Sequence, residues 1–285
     1  MNLLSQLRGI NPILGSWHRR EWLFYFAVIP TTLIIIFLLP ISIKQYLILD
    51  LQNPTLLSIF VNHYTHTDLA HLTNNLIGYL LTVFILFNIE TNRSRFHRVT
   101  AFFLIAVPFI CSLTMIRLFP IPYGMLGFSA VTSAFTGYIV YSANAYLRSR
   151  YSYIQLGFIT IPLLANFTLL CINNNFGTPI TLISSFLLIV FLIIERKNII
   201  RLIKELDHEI KIIPKKNAGL EFTYKLCTLT LTIILVFSLP NLIPTNIEQG
   251  KMIVNTIIHY IAWIIGVFLP IGLDILKLSR KTSRS

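Results

Sequence analysis

Residues 123–138 read YGMLGFSAVTSAFTGY, and they interrupt an otherwise greasy chain. Ile, Leu and Phe dominate on either side; here Gly127, Ser129, Ala130, Ser133, Ala134 and Gly137 crowd together. Ser129, Ser133 and Gly137 recur every four residues, so on a helix they form one smooth strip. Such a strip lets a neighbouring backbone come close in a membrane, and the serines then only pack. Alternatively Ser129, between Gly127 and Ala130, has the room that a nucleophile needs for its substrate. The rest of the chain has to decide between them.

Of the 285 residues 55% are hydrophobic and 12% charged, with a mean hydropathy of +0.72. A soluble core cannot hide so much apolar surface, which makes this an integral membrane protein. A span needs about 20 apolar residues. Eight stretches qualify: 22–43, 70–90, 99–119, 127–147, 153–173, 179–195, 224–243 and 252–273. The expected fold is an all-α polytopic helical bundle with about eight spans, a single transmembrane domain over residues 1–285. NNNFGTP at 173–179 gathers Asn, Gly and Pro between the fifth and sixth stretches and reads as a tight hairpin. The N-terminus lacks the pattern of a cleaved signal peptide; its first apolar run follows Arg19 and Arg20 and is long enough to stay in the membrane. Cys111, Cys171 and Cys227 lie in apolar stretches at unrelated spacings, as buried packing residues do, with no metal or disulfide pattern.

A net charge of +12 raises the question of a nucleic-acid partner. Charge placement answers it. With the N-terminus inside and the spans alternating, every Lys and Arg except Lys44, Arg117 and Lys251 falls on the inner side. This is the positive-inside bias, so the basic residues meet anionic lipid rather than nucleic acid, and both termini are expected in the cytoplasm. The largest inner loop, 196–223, spaces Ile199, Ile200, Ile203, Leu206 and Ile210 helically against charged residues. It reads as an amphipathic helix on the inner surface, with His208 a solvated residue.

No acidic residue lies mid-span; Glu90, Glu195 and Asp274 stand at ends. A pump built on buried carboxylates is hard to make from such a chain. The polar residues that do enter are His71, Asn74, Asn75, Ser129, Ser133, Asn166 and His259. His71 and Asn75 are four apart and share one helix face. His259 lies eight residues past Lys251, roughly 12 Å along a helix at about 1.5 Å per residue, with Ala262 and Gly266 on its face. Ser129 also enters from the outer side. Two helices with small strips could bring the Ser129 hydroxyl to the His259 imidazole, the minimum for base-activated acyl transfer. His71 and Asn75 would then offer donors to an oxyanion, worth about 3–4 kcal/mol each.

These residues resemble the rhomboid family of intramembrane serine proteases. H-x-x-x-N appears as His71 to Asn75, G-x-S-x as Gly127 to Ala130, and a histidine with small residues at +3 and +7 as His259, Ala262 and Gly266. His66, five residues before His71, looks like the family's His-rich approach to its second helix. The resemblance covers roughly residues 20–275 and implies a six-helix core with two additional helices. It implies Ser129 as nucleophile, His259 as general base, and an oxyanion hole of His71, Asn75 and the Ser129 backbone N–H. Gly127, Ser133, Gly137, Ala262 and Gly266 would support helix packing. No cofactor or metal is implied; the partners would be single-span membrane proteins within the lipid bilayer, and the setting the plasma membrane of a prokaryote, with the site opening outward. Three features depart from the family. Ala130 and Ala262 stand where it usually has Gly, residues 44–69 lack its Trp-Arg pair, and three stretches separate the Ser and His helices instead of one. A catalytically silent member that binds membrane clients is the alternative. A small-solute transporter would need intramembrane charges or matching broken helices, and neither is visible.

Overall fold

The computed structural model describes residues 11–119, 124–173, 177–211, 218–238, 248–249, 252–253 and 256–282. Tyr123, Lys251, the first ten residues and the centre of the 173–179 turn lie outside them. The helices are α1 (Arg19–Leu38), α2 (Ile41–Leu47), α3 (Leu56–Val61), α4 (Leu69–Ile89), α5 (Arg93–Leu118), α6 (Ser129–Arg150), α7 (Thr160–Asn173), α8 (Thr178–Ile194), α9 (Arg196–Lys211), α10 (Ala218–Val236) and α11 (Thr256–Thr282). The protein is an all-α polytopic membrane protein. Among the described residues six segments are long and apolar enough to cross a bilayer: Arg19–Leu38, Leu69–Ile89, Arg93–Leu118, Leu156–Asn173, Gly219–Val236 and Ile257–Leu276. Thr178–Ile194, bent by 65° from Arg196–His208, makes a seventh when the bent pair counts as one span. α6 falls short because its residues are small and polar. Every residue of it from 130 to 141 is buried, so it needs no apolar surface of its own.

Local chemistry sets the ends. α1 takes a π turn at Phe24–Val28 beside Pro30, whose ring lacks the N–H a regular turn would use. It stops before Pro40, short of the expected residue 43, and α2 follows as a separate helix. α5 starts at Arg93 rather than 99, because the Asn92 side chain accepts the Arg95 N–H at 3.0 Å. Its arginines therefore sit on a helix, not in a loop.

Two compact units divide the chain: Met1–Ser16, Ile85–Thr91 and Ser142–Pro240 form the first, and Trp17–Phe84, Asn92–Tyr141 and Asn241–Ser285 the second. In the first, α7 and α8 pack along one another, and Gly177 supports their turn with φ +95°. Asn166 of α7 donates to the Val236 carbonyl of α10 at 2.7 Å. Of the expected amphipathic stretch 196–223, α9 covers Arg196–Lys211, residues 212–217 lie outside the described residues, and 218–223 already belong to α10, which starts ahead of the expected residue 224. Arg201 of α9 lies 4.1 Å over the Tyr153 ring, and His208 is exposed. Cys227 departs from the expectation of burial: α10 hides little of its surface within the chain, and the thiol is exposed.

The second unit has an aromatic core. Phe103 packs edge-on against Phe135 and Tyr138, and Tyr79 against Phe128 and Phe135, joining α4, α5 and α6. At one end Arg95, only 5% exposed, donates from Nη1 to the Tyr141 hydroxyl at 2.9 Å and to Asp274 Oδ2 at 3.0 Å. This pins α5, α6 and α11 together. Burying that arginine is tolerable because the Asp274 carboxylate offsets its charge and the Tyr141 hydroxyl accepts a further hydrogen bond. Lys44 is buried too, with Nζ donating to the Phe37 carbonyl at 3.0 Å.

Candidate active site

Among the described residues four two-residue strands form one small sheet in the second unit, ordered β1 (Leu49–Asp50), β2 (Gly124–Met125), β4 (Met252–Ile253) and β3 (Glu248–Gln249). β2 and β4 run parallel, with Gly124 opposite Met252. Ser129 follows β2 by a few residues and His259 follows β4 by a few. The sheet thereby sets the starts of α6 and α11 side by side. Ser129 is the first residue of α6, and His259 lies in the first turn of α11. About 4.5 Å of helix precedes His259, at about 1.5 Å per residue, in place of the roughly 12 Å expected, because the chain arrives as strand and α11 begins at Thr256.

Beyond that start the two helices touch backbone to backbone. A Cβ on Gly137 would lie 2.1 Å from the Trp263 carbonyl oxygen, and one on Gly266 would lie 2.1 Å from the Ala134 carbonyl oxygen. Only glycine fits at either crossing. Ala130 and Ala262, on these same two helices, are fully buried. Ser133 turns its hydroxyl back onto the Ser129 carbonyl at 2.8 Å, a packing role. With α6 and α11 so held, Ser129 Oγ and His259 Nε2 stand 2.7 Å apart, a hydrogen bond. His259 is 5% exposed, and the serine is half-buried.

The segment before Ser129 is fixed residue by residue. Gly127 has φ +115°, and its N–H donates to the Asn62 carbonyl at 2.9 Å. Where its side chain would be lies the His71 imidazole: a Cβ would fall 2.5 Å from Cε1. The Phe128 N–H points to His66 Nε2 at 3.4 Å. The Ser129 N–H comes next, in the opening turn of a 22-residue helix, where donors have no intrahelical acceptor and the dipole favours negative charge. Asp68 caps α4 by accepting the His71 N–H at 2.7 Å. Asn75 lies one turn on, with Nδ2 3.1 Å from both His66 Nε2 and the His71 carbonyl. The amide therefore gives up one of these partners if it is to donate to anything else.

Of the residues expected from the sequence, Ser129, His259, His71, Asn75 and Gly127 lie in this one neighbourhood, while Gly137 and Gly266 lie at the helix crossings beyond it. In the sequence His66 stands only as a motif marker, and Asn62 and His63 are not singled out. His66 is fully buried between Asn75 and the Phe128 N–H; burial pushes its pKa from 6.5 down to about 4, so the ring is a neutral acceptor at Nε2. His63 is buried with Nε2 3.1 Å from Ser112 Oγ, and burial holds it down to about 3. Ser112 also binds Asn62 Nδ2 at 3.0 Å, and the adjacent Cys111 thiol approaches the Ile258 carbonyl, one residue before His259, at 3.8 Å. α5 is thus the common support of the 62–66 loop and of α11. The signal was present as VNHYTH, a polar run inside apolar sequence, but hydrogen-bond partners fifty residues away leave no local pattern. Among the described residues no group of three or more His, Cys, Asp and Glu side chains is gathered as a metal site requires. Comparison with family models, with curated proteins and with solved structures found no match for the chain.

Proposed function

We propose that the protein is a rhomboid-type intramembrane serine endopeptidase that cuts single-span membrane proteins in or near the bilayer. One observation carries this reading: the 2.7 Å contact between Ser129 Oγ and His259 Nε2 at the mouth of two glycine-packed helices. In the proposed reaction Ser129 Oγ attacks the scissile carbonyl carbon as His259 Nε2 takes its proton. The carbonyl oxygen becomes an oxyanion facing the Ser129 N–H, His71 and Asn75, and Asn75 trades its bond to His66 or to the His71 carbonyl for it. His259 then protonates the departing amine, and water releases the acyl group by the same path in reverse. The six-helix rhomboid core, the outward-opening site, the cytoplasmic termini and the prokaryotic plasma membrane belong to the same proposal.

The test is cleavage of a model single-span substrate by purified protein in liposomes. Ser129→Ala is expected to reduce turnover by at least about a thousandfold, the scale on which loss of a nucleophile acts. Undiminished cleavage by Ser129→Ala would sink the assignment.

A further inference from the structure

The second unit holds another polar cluster, where α1 and α5 begin, roughly 20 Å along α5 from Cys111 by the helical rise of about 1.5 Å per residue. A cavity of about 500 Å³ opens there, lined by Arg20, Glu21, Phe24, Tyr25, Arg93 and His97. Its size is that of a small-ligand pocket. The Glu21 side chain is 8% exposed, and its Oε1 receives Arg93 Nε at 3.2 Å, Arg93 Nη2, and His97 Nε2 at 2.8 Å. The far side of the His97 ring meets the Tyr25 hydroxyl at 3.2 Å, and that hydroxyl also meets Thr100 Oγ1 at 2.8 Å. Arg93 is braced against the Trp17 ring, 5.7 Å from its centroid.

These contacts leave a defined surplus. Arg93 offsets the Glu21 charge and retains Nη1, while Arg20 is exposed and adds a second cation. The wall is net positive. Glu21 Oε1 is already taken by three donors, so the cavity offers little to a ligand ammonium group. Directly beyond Arg20, α1 exposes Leu23, Phe24 and Val28, an apolar strip that a membrane helix turns to lipid. Trp22, part-exposed, lies at this end of the helix, where aromatic side chains mark the boundary between lipid and water. A cationic pocket that runs into an apolar strip at that boundary suits a ligand with a phosphate at one end and acyl chains at the other.

We propose that this cavity binds the phosphate headgroup of an anionic phospholipid, with Arg20 and Arg93 on the phosphate and the acyl chains along Phe24 and Val28. Glu21 and His97 orient Arg93. The site is independent of the Ser–His pair and of any proteolysis. The test uses the full-length protein in non-ionic detergent, titrated with phosphatidylglycerol, phosphatidylcholine or inorganic phosphate, and read by native mass spectrometry and thermal unfolding. Phosphatidylglycerol is expected to remain as a one-to-one adduct and to raise the unfolding midpoint, with the other two doing neither. Arg20→Glu, at an exposed position, is expected to weaken retention at least tenfold, while the equally exposed neighbour Arg19→Glu leaves it unchanged. Equal retention of phosphatidylcholine, equal protection by inorganic phosphate, or an Arg20→Glu protein that holds phosphatidylglycerol as well as the parent would each overturn the proposal.

Discussion

Gly127 is the most constrained single position around Ser129, for two separate reasons. Its φ of +115° is one that side chains resist, and the space a Cβ would fill is occupied by His71. Strain of this kind costs about 1–3 kcal/mol before any clash. Gly127→Ala is therefore expected to displace His71, cutting cleavage at least about a hundredfold if His71 serves an oxyanion, with a fall of only a few degrees in the unfolding midpoint. Parallel turnover and thermal measurements check this; normal turnover would separate His71 from the chemistry. His66 yields a prediction of a different sort. Its folded pKa of about 4 lies below the unfolded 6.5, so the unfolded chain binds the extra proton first. Its contribution to stability is complete above pH 6.5 and is lost as the pH falls from there toward 4. Buried His63, held down to about 3, adds in the same sense. His66→Gln, an amide that does not titrate, is expected to flatten the acid side of an unfolding-midpoint-against-pH curve. Ser129, Gly137 and Gly266 were legible because small residues at helical spacing carry a signal within one segment. His66 was legible only as a motif position and His63 not at all, because what they do lies in partners that only the fold brings near.

At the level of elements, α6 and α11 are joined by two reciprocal glycine contacts rather than by interdigitating side chains. No large apolar side chain at Gly266 can avoid the Ala134 carbonyl, since even a Cβ would stand 2.1 Å from it. Gly266→Leu is expected to push the helices apart, abolish cleavage and lower the unfolding midpoint, with Gly266→Ala intermediate in both. A Gly266→Leu protein with intact cleavage would mean that this crossing does not hold Ser129 to His259. Hydropathy located the helices but misplaced several ends, each for a local chemical cause. Asn92 caps α5 ahead of its apolar run, Pro40 closes α1 early, and the β2–β4 pairing delays α11 to Thr256. Two-residue strands are too short to leave an alternating pattern, so the element that aligns the Ser and His helices had no readable trace in the sequence.

For the whole molecule the open quantity is how many helices cross, and counting parity decides it. Six segments qualify on length and apolarity; α6 qualifies on neither its small residues nor its serines, yet is buried through its first half. α8 counts as a span only together with the bend into α9. If all eight cross, the count is even and the two termini share one side of the membrane, as the distribution of Lys and Arg predicts. If either α6 or α8 fails to cross, the termini lie on opposite sides. The bias of the positive residues favours the even count, because removing α6 or α8 alone would put the basic residues that follow it on the wrong side. A protein with Cys111, Cys171 and Cys227 replaced, carrying a single cysteine at residue 2, residue 53 or residue 284, separates the cases with a membrane-impermeant thiol reagent on intact cells. The expected result is labelling at the exposed Asn53→Cys position from outside, and labelling at residues 2 and 284 only after permeabilisation. External labelling at residue 284 with residue 2 protected would show an odd count. It would also turn α11 over, so that His259 entered from the side opposite to the one the charge distribution assigns it.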